Sequence, residues 1–402
     1  MRPEGSVTGT GSETEKISGG RTMNLKDYRT KIDGIDKQLV ELFRQRLEVC
    51  KEIGEYKAQN GMPLSDPARE REKLYEVSGL VEEDLQRYTS QLYSTIFDLS
   101  KAYQSRSLAA TGELETKILE AIEKTPKEFP ERAMIACQGV EGAFSQIACE
   151  RLFNLPGIMY FENFNAVFTA IEKGLCKYGV LPIENSTAGS VNKVYDLMMK
   201  HRFSIVRSIR IKVEHCLVAK KGTKLSEIKE IISHEQAINQ SSEFIKSLGN
   251  VKVTVYENTA AAAKAVKESD RRDIAAICSH RCAELYGLES LKDNIQDSNN
   301  NFTRFICISR ELEIYPGADR TSIMAVTSHT PGALCKLLAR FYAFGVNLTK
   351  LESRPLPDKS FEFMFYFDIE KSVYSPDFVR MLSEIASLCD KFDYLGSYNE
   401  IV

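Results

Sequence analysis

The sequence lacks several features that would assign its class at once. No apolar stretch approaches the length of a membrane-spanning helix. No basic run is longer than a pair such as Arg271–Arg272, and 53 basic against 56 acidic residues leave a net charge of −3, which argues against a general nucleic-acid binder. There is no G-x-G-x-x-G, so a dinucleotide site is not supported. The ten cysteines include no C-x-x-C pair. Residues 1–22 are rich in Gly, Ser, Thr and Glu and have no apolar core, so they read as a disordered tail and not as a secretion signal. With no export signal, the cysteines are expected to be reduced, buried, small apolar residues of a cytosolic protein. The densest group, Cys278-Ser-His280-Arg-Cys282, offers three metal ligands with no fourth nearby. A buried helix start is the favoured reading there, and no metal is expected.

What is present is an ordinary globular composition, 43% apolar and 27% charged, in a chain of 402 residues. That length suits two or three domains. The first, residues 23–106, is all helical. Ile32, Ile35, Leu39, Leu42, Phe43, Val49, Ile53 and Tyr56 recur at helical spacing from Leu25 to Gln59. A helix of that length spans roughly 50 Å, more than a small domain is wide, so a partner helix from a second copy is expected. Asn60-Gly61-Met62-Pro63 breaks it. Asp66 and Pro67 are placed to cap and open a second helix, and Leu80–Gln104 is a third.

The polar residues of this segment carry more information. Arg46 and Lys57 fall on one face within roughly 20°, Arg29 points roughly 100° away, and Ser100 shares a face with Gln104. Solvated charge is the plain reading of each one. Together they suggest a pocket for a multiply anionic compound, with Arg29 serving a different pocket.

The run Y-R-T-K-I-D-x-I-D, then Arg46 and Lys57, then S-D-P-A-R-E, then Ser100 and Gln104, resembles the all-helical chorismate mutase family. The resemblance implies an intertwined homodimer binding chorismate. Arg46, and Arg29 from the other chain, would hold the two carboxylates. Lys57 and Gln104 would bond the ether oxygen, and Asp66, Arg69, Glu70 and Ser100 would complete the pocket. The rearrangement is pericyclic and needs no nucleophile, metal or cofactor, only a held conformer and stabilised charge on the ether oxygen.

Residues 107–130 read as a polar, partly helical linker. From 131 to 311 strands alternate with helices, giving an α/β region of two lobes. The long strand run Ile205–Val218 breaks the alternation and is the candidate crossing between lobes. In Lys177–Lys193 a buried strand ends, Glu184 to Thr187 follow as a polar loop, and a helix starts with Ser190 as the expected N-cap. Three more polar loops join it: Gly139–Ser145 and Ser233–Gln240, each leading into a helix, and Asp297–Phe305, entering a strand. A cleft between the lobes is the natural place for them to meet.

The set G-x-x-G-x-F-S, G-V-L-P-I-E-N-S, S-H-x-Q-A and N-x-T-R-F, in this order, is similar to prephenate dehydratase. One departure is Glu235, where that family has proline. The resemblance implies a periplasmic-binding-like fold, with Thr303 central to activity and Asn185, Ser233, Gln240 and Arg304 contacting prephenate or supporting the site. Arg304 has a structural alternative. Threonine is a weak acid, so Thr303 is read as a hydrogen-bond donor or proton conduit at the departing hydroxide.

Residues 320–402 follow the order βαββαβ, a ferredoxin-like α+β unit. Gly332-Ala333-Leu334 and the stretch from Asn347 to Glu352-Ser353-Arg354-Pro355 look like the ACT regulatory domain of phenylalanine-responsive enzymes. These stretches would bind L-phenylalanine at a dimer interface. A purely structural module, with Glu352 and Arg354 forming a turn ion pair, is the competing reading. The order of the three domains is that of bifunctional chorismate mutase–prephenate dehydratases, homodimeric or higher. It implies chorismate to prephenate to phenylpyruvate, with no nucleic-acid or membrane partner. A metabolite sensor with one dead site is the alternative from another class. A fusion to prephenate dehydrogenase would need the nicotinamide fingerprint that is missing.

Overall fold

A computed structural model describes residues 24–62, 66–107, 112–356 and 362–402; the tail expected over residues 1–22 lies outside them. The chain forms two compact units, Met1–Ala110 and Thr111–Val402. No helix among the described residues is long and apolar enough to cross a membrane.

Among the described residues the first unit holds three helices: α1 (Leu25–Gln59), α2 (Pro67–Ser78) and α3 (Glu83–Ser107). Asn24 caps α1, its side-chain oxygen accepting from the backbone of Lys26 and Asp27 at 2.9 and 3.1 Å. Asp66 caps α2 as expected, accepting from Arg69 N at 3.1 Å with Pro67 at the first helical position. Helix α3 packs on both others. At Gly54 an added Cβ would lie 3.2 Å from Cβ of Gln104, so the missing side chain lets α1 and α3 approach closely. The N-terminal half of α1 presents a stripe of exposed apolar side chains, Ile32, Ile35 and Leu39 each more than half exposed.

Among its described residues the second unit contains three sheets. The largest orders its strands Glu400–Ile401, Ser204–Lys212, Phe302–Ser309, Tyr178–Asn185, Arg132–Gln138 and Leu155–Phe161, with the short strand Gly189–Ser190 paired to Tyr178–Asn185. The second sheet orders Glu289–Lys292, Cys216–Ala219, Ile274–Cys278, Glu230–His234 and Lys252–Tyr256. The run expected as one strand from Ile205 to Val218 is two strands, Ser204–Lys212 and Cys216–Ala219, one in each sheet. The chain crosses between lobes through Val213–His215 and returns through 293–301. The third sheet, Asn347–Pro355, Phe363–Glu370, Arg320–Val326 and Lys391–Tyr398, is antiparallel and carries two helices, Ala333–Ala343 and Pro376–Ser387.

Several local readings need correcting. Ser190 is not an N-cap: it lies in a short strand, its hydroxyl donates to Glu352 at 2.6 Å, and Val191 precedes the helix Asn192–His201. Proline at 331, a residue type that commonly opens helices, reads from the sequence as the first helical position, but the helix starts at Ala333 after Gly332 at φ 85°, a left-handed conformation that glycine adopts without strain. Residues 107–130 are more than a tether. Helix α4 (Glu113–Lys124) buries Ile118 and Ala121 in one core with Leu337, Phe341, Phe367 and Leu382 of the third sheet's layer. The cysteines are free as expected, but Cys335 is exposed.

Candidate active sites

The first unit has a cavity of about 290 Å³ between its helices. Arg46, Lys57, Asp66, Arg69, Glu70, Ser100 and Gln104 all line it, with Cys50, Ile53, Lys73, Phe97 and Lys101. Helix spacing brings Arg46 and Lys57 there from α1. The α1–α3 packing brings buried Ser100 and Gln104 opposite them. Arg46 donates to Ser100 Oγ at 2.5 Å and lies 5.5 Å from the Phe97 ring centre. Lys101 pairs with Glu70 at 3.1 Å and Asp98 at 3.3 Å. Arg69 lines the cavity but pairs outward with Glu72 at 2.5 Å, both side chains largely exposed. Arg29 is exposed on α1 and does not line this cavity. Phe97, Lys73 and Lys101 were missed by the sequence reading. Their spacing on α2 and α3 placed them on the right faces, but nothing marked them among other apolar and charged positions.

In the second unit a cavity of about 550 Å³ opens between the first and second sheets. Thr303, Asn185 and Gln240 line it. Thr303 sits opposite Asn185 in an antiparallel ladder, so both side chains leave the same face of the sheet. Asn185 organises the floor. Its amide nitrogen donates to Thr303 Oγ1 at 3.0 Å and Asn301 Oδ1 at 2.9 Å, while its oxygen accepts from the Thr187 hydroxyl at 2.7 Å and the Ala188 backbone at 2.9 Å. Gln240 donates to Thr187 Oγ1 at 2.9 Å and accepts from Asn301 at 3.0 Å. Because Thr303 Oγ1 accepts from Asn185, its own proton is left to donate elsewhere.

His215, in the first crossover, was not singled out from the sequence. Its Nε2 lies 3.0 Å from Gln240 Oε1, and burial pushes its pKa down more strongly than this bond raises it, so the ring is held neutral and donates. His234 lines the cavity, and its Nδ1 accepts from the Gln236 backbone at 3.2 Å. No lysine or arginine is among the described residues lining this cavity. The helices beginning at Phe144, Phe164 and Thr259 direct their first turns toward it instead, Asn163 and Asn258 capping the last two. Asn258 before an alanine-rich helix was a readable cap signal.

Two expected residues lie elsewhere. Ser233 is fully buried in its strand, donates to the Ile277 carbonyl at 2.6 Å, and does not line the cavity. Arg304 follows Thr303 on the strand and so faces the opposite side. There it pairs with Asp368 and, at 2.8 Å, with Glu400, and it donates to Tyr398 at 2.8 Å. All four are buried or nearly so. Losing Arg304 would leave the buried Asp368 carboxylate without its cation, at a cost of about 3–5 kcal/mol, while Glu400 would keep Arg210 at 2.7 Å.

The third sheet separates the expected effector residues. Gly332, Ala333 and Leu334 line a cavity of about 510 Å³. Asn347, Glu352, Ser353 and Arg354 lie on the edge strand and do not line it. Asn347 bonds Glu370 at 2.8 Å. Glu352 accepts from Ser190, and Arg354 forks onto Asp196 at 3.0 and 3.1 Å. In place of the turn ion pair of Glu352 with Arg354, the competing reading, both residues contact the first sheet's lobe.

A helical unit with a cation-rich pocket, joined to a two-lobed α/β unit with an amide-lined cleft and a βαββαβ module, defines a multidomain enzyme. Comparison with known proteins gives the family. The prephenate dehydratase model matches residues 135–313, and the chorismate mutase type II model matches residues 28–105. Arogenate dehydratase 2 of Petunia hybrida is 37% identical over 66% of this chain and 72% of its own length. The bifunctional chorismate mutase/prephenate dehydratase of Escherichia coli K12 is 29% identical over 93% of this chain and 96% of its own length. A prephenate dehydratase from Arthrobacter aurescens, solved with L-Phe, is 28% identical with a TM-score of 0.61, covering 66% of this chain and 89% of that one. The chain belongs to the prephenate dehydratase family, in its bifunctional form with a chorismate mutase region in front.

Proposed function

We propose that this chain rearranges chorismate to prephenate in its helical unit and converts prephenate to phenylpyruvate in the cleft of its second unit, in the cytoplasm and without a cofactor. The observation that carries this reading is the placement of Thr303 on the cleft floor, hydrogen-bonded to Asn185, in a chain that also gathers the mutase set around one pocket.

In the first step Arg46 holds a carboxylate while Lys57 and Gln104 stabilise charge growing on the ether oxygen. Arg29 serves the pocket of a second copy, which fits its exposure on a helix with an uncovered apolar stripe. In the second step the ring carboxylate leaves as carbon dioxide. Its bonding pair moves into the ring, and the hydroxyl leaves with a proton delivered through Thr303 as water. Asn185 and Gln240 fix Thr303 and the cleft wall, and helix starts meet the substrate's carboxylates. The two lobes are read as a periplasmic-binding-like pair, and residues 320–402 as a ferredoxin-like ACT domain. Phenylalanine binds between the Gly332–Leu334 turn of one copy and the Asn347–Arg354 edge strand of another, and it inhibits. The relative solved with L-Phe supports an effector of this chemistry.

The test is incubation of the purified protein with chorismate alone, followed by chromatography, with and without phenylalanine. Phenylpyruvate without added cofactor is expected, and less of it with phenylalanine. Prephenate as the end product would remove the dehydratase assignment. Output unchanged at saturating phenylalanine would remove the regulatory one.

A further inference from the structure

The cysteine-histidine group that stood out in the sequence is split by the fold, and one member gains partners from distant segments. Cys278 and Cys282 turn inward, Cys282 donating to the Gly142 carbonyl at 3.1 Å. His280 turns outward. Around it stand Cys216, the first residue of its strand after the first crossover, and Asp293, at the start of the second crossover. The Cys216 thiol, a ring nitrogen of His280 and a carboxylate oxygen of Asp293 all lie within 4.8 Å of one another.

We propose that Cys216, His280 and Asp293 form a zinc site that clasps the two crossover segments joining the lobes. The donor set is one thiolate, one imidazole and one carboxylate, the mixture that borderline-soft Zn²⁺ accepts and that hard cations such as Mg²⁺ do not select. In a tetrahedral zinc site such donors sit about 3.5 Å apart. Nδ1 of His280 is already 3.8 Å from Asp293. Both side chains are more than half exposed, so rotation of these two closes the remaining gap to the buried thiol. Water fills the fourth position on that open side. Asp293 is also oriented from behind, since Ser290 donates to it at 2.6 Å. The next residue, Asn294, holds φ at 56°, a left-handed turn that sets the direction of this loop.

The location gives the site its consequence. The two crossovers already share backbone and side-chain bonds: Ile295 N to the His215 carbonyl at 3.0 Å, His215 N to Gln296 at 3.0 Å, and Val213 N to the Asn301 carbonyl at 2.8 Å. Zinc on Cys216 and Asp293 closes the outer end of this ladder, one residue from His215 and its contact with Gln240. The metal would stiffen the joint between the lobes without touching substrate. Metal binding displaces the thiol proton to solvent, with no change of oxidation state.

The test uses the full chain stripped of metal and titrated with Co²⁺ as a spectroscopic stand-in for Zn²⁺. A saturable near-ultraviolet thiolate-to-cobalt band at one equivalent is expected, lost in Cys216→Ser. It should need at least about tenfold more metal in His280→Ala and in Asp293→Asn. Those two exposed positions keep the test open if Cys216→Ser fails to fold. Zn²⁺ should also raise the melting temperature of the parent protein and not that of His280→Ala. No band in the parent chain, a band that survives Cys216→Ser, or parental affinity in both exposed variants would overturn the site.

Discussion

The two candidate active sites face similar substrates with opposite equipment. Chorismate and prephenate are both dicarboxylates. Yet the helical pocket is lined by Arg46, Lys57, Arg69, Lys73 and Lys101, whereas the α/β cleft has no lysine or arginine among its described lining residues. The difference follows from how helices meet each cavity. In the first unit α1 and α3 run alongside the pocket, so their backbone N–H groups are spent within the helix. Helix α2 does start at the pocket, but the Asp66 carboxylate caps that end, so the positive field there comes from side chains. In the second unit helices start at the cleft, and their first turns bring unspent N–H groups and the positive end of the dipole. A bundle must buy its positive field with long cationic side chains, while an α/β cleft inherits part of it from the backbone.

That contrast can be tested from its strongest consequence downward. Arg46→Ala should lower mutase kcat/KM by about a thousandfold or more, because it removes a charge that both binds and orients the substrate. Dehydration of added prephenate should be unaffected. A loss of both activities would show that the two units are not independent. Thr303→Ala should cut dehydration by about a hundredfold to a thousandfold, the effect of removing one positioned donor, while prephenate accumulates from chorismate. Dehydration retained at the parental rate would take Thr303 out of the chemistry.

A third comparison uses pH. No histidine falls within residues 24–107, whereas burial lowers the pKa of both His215 and His201 in the second unit. A histidine held neutral by the fold binds its proton more readily once unfolded. Stability is therefore full above the ordinary imidazole value, falls as pH drops below it, and stops falling once the folded group protonates. The urea midpoint of the second unit should drop between about pH 7.5 and pH 5.5, and by less in His215→Asn. An unchanged slope in that variant would mean His215 does not titrate as described. The smallest effect concerns salt. Raising ionic strength from about 0.01 to 0.15 M shortens the screening length from about 30 to 8 Å, so KM for chorismate should rise a few-fold more than KM for prephenate. Equal salt dependence would break the distinction between side-chain and backbone fields.

The helical unit was the more legible in sequence because its site is written in local spacing. Arg46 to Lys57 and Ser100 to Gln104 are helical intervals, and the bundle returns them to one pocket. In the second unit the loops were readable, but their depth and direction were not. Thr303 and Arg304 are neighbours, yet the alternation of the strand sends one to the cleft and the other to Asp368 and Glu400. Ser233 sits in a motif and is spent on a backbone carbonyl. His215 stood in what read as continuous strand, because periodicity does not show where a strand leaves one sheet for another.

The strand Glu400–Ile401 lies beyond the last strand of the βαββαβ module, yet it pairs with Ser204–Lys212 in the large sheet. Ser208 and Glu400 meet across 192 positions of sequence. That sheet therefore cannot finish folding when its own segment has emerged during synthesis. It must wait for the whole βαββαβ module to pass, holding an open edge in the meantime. Folding of the second unit should be slow and dependent on a very long loop closure, and its incomplete form is the state most exposed to pairing with other chains.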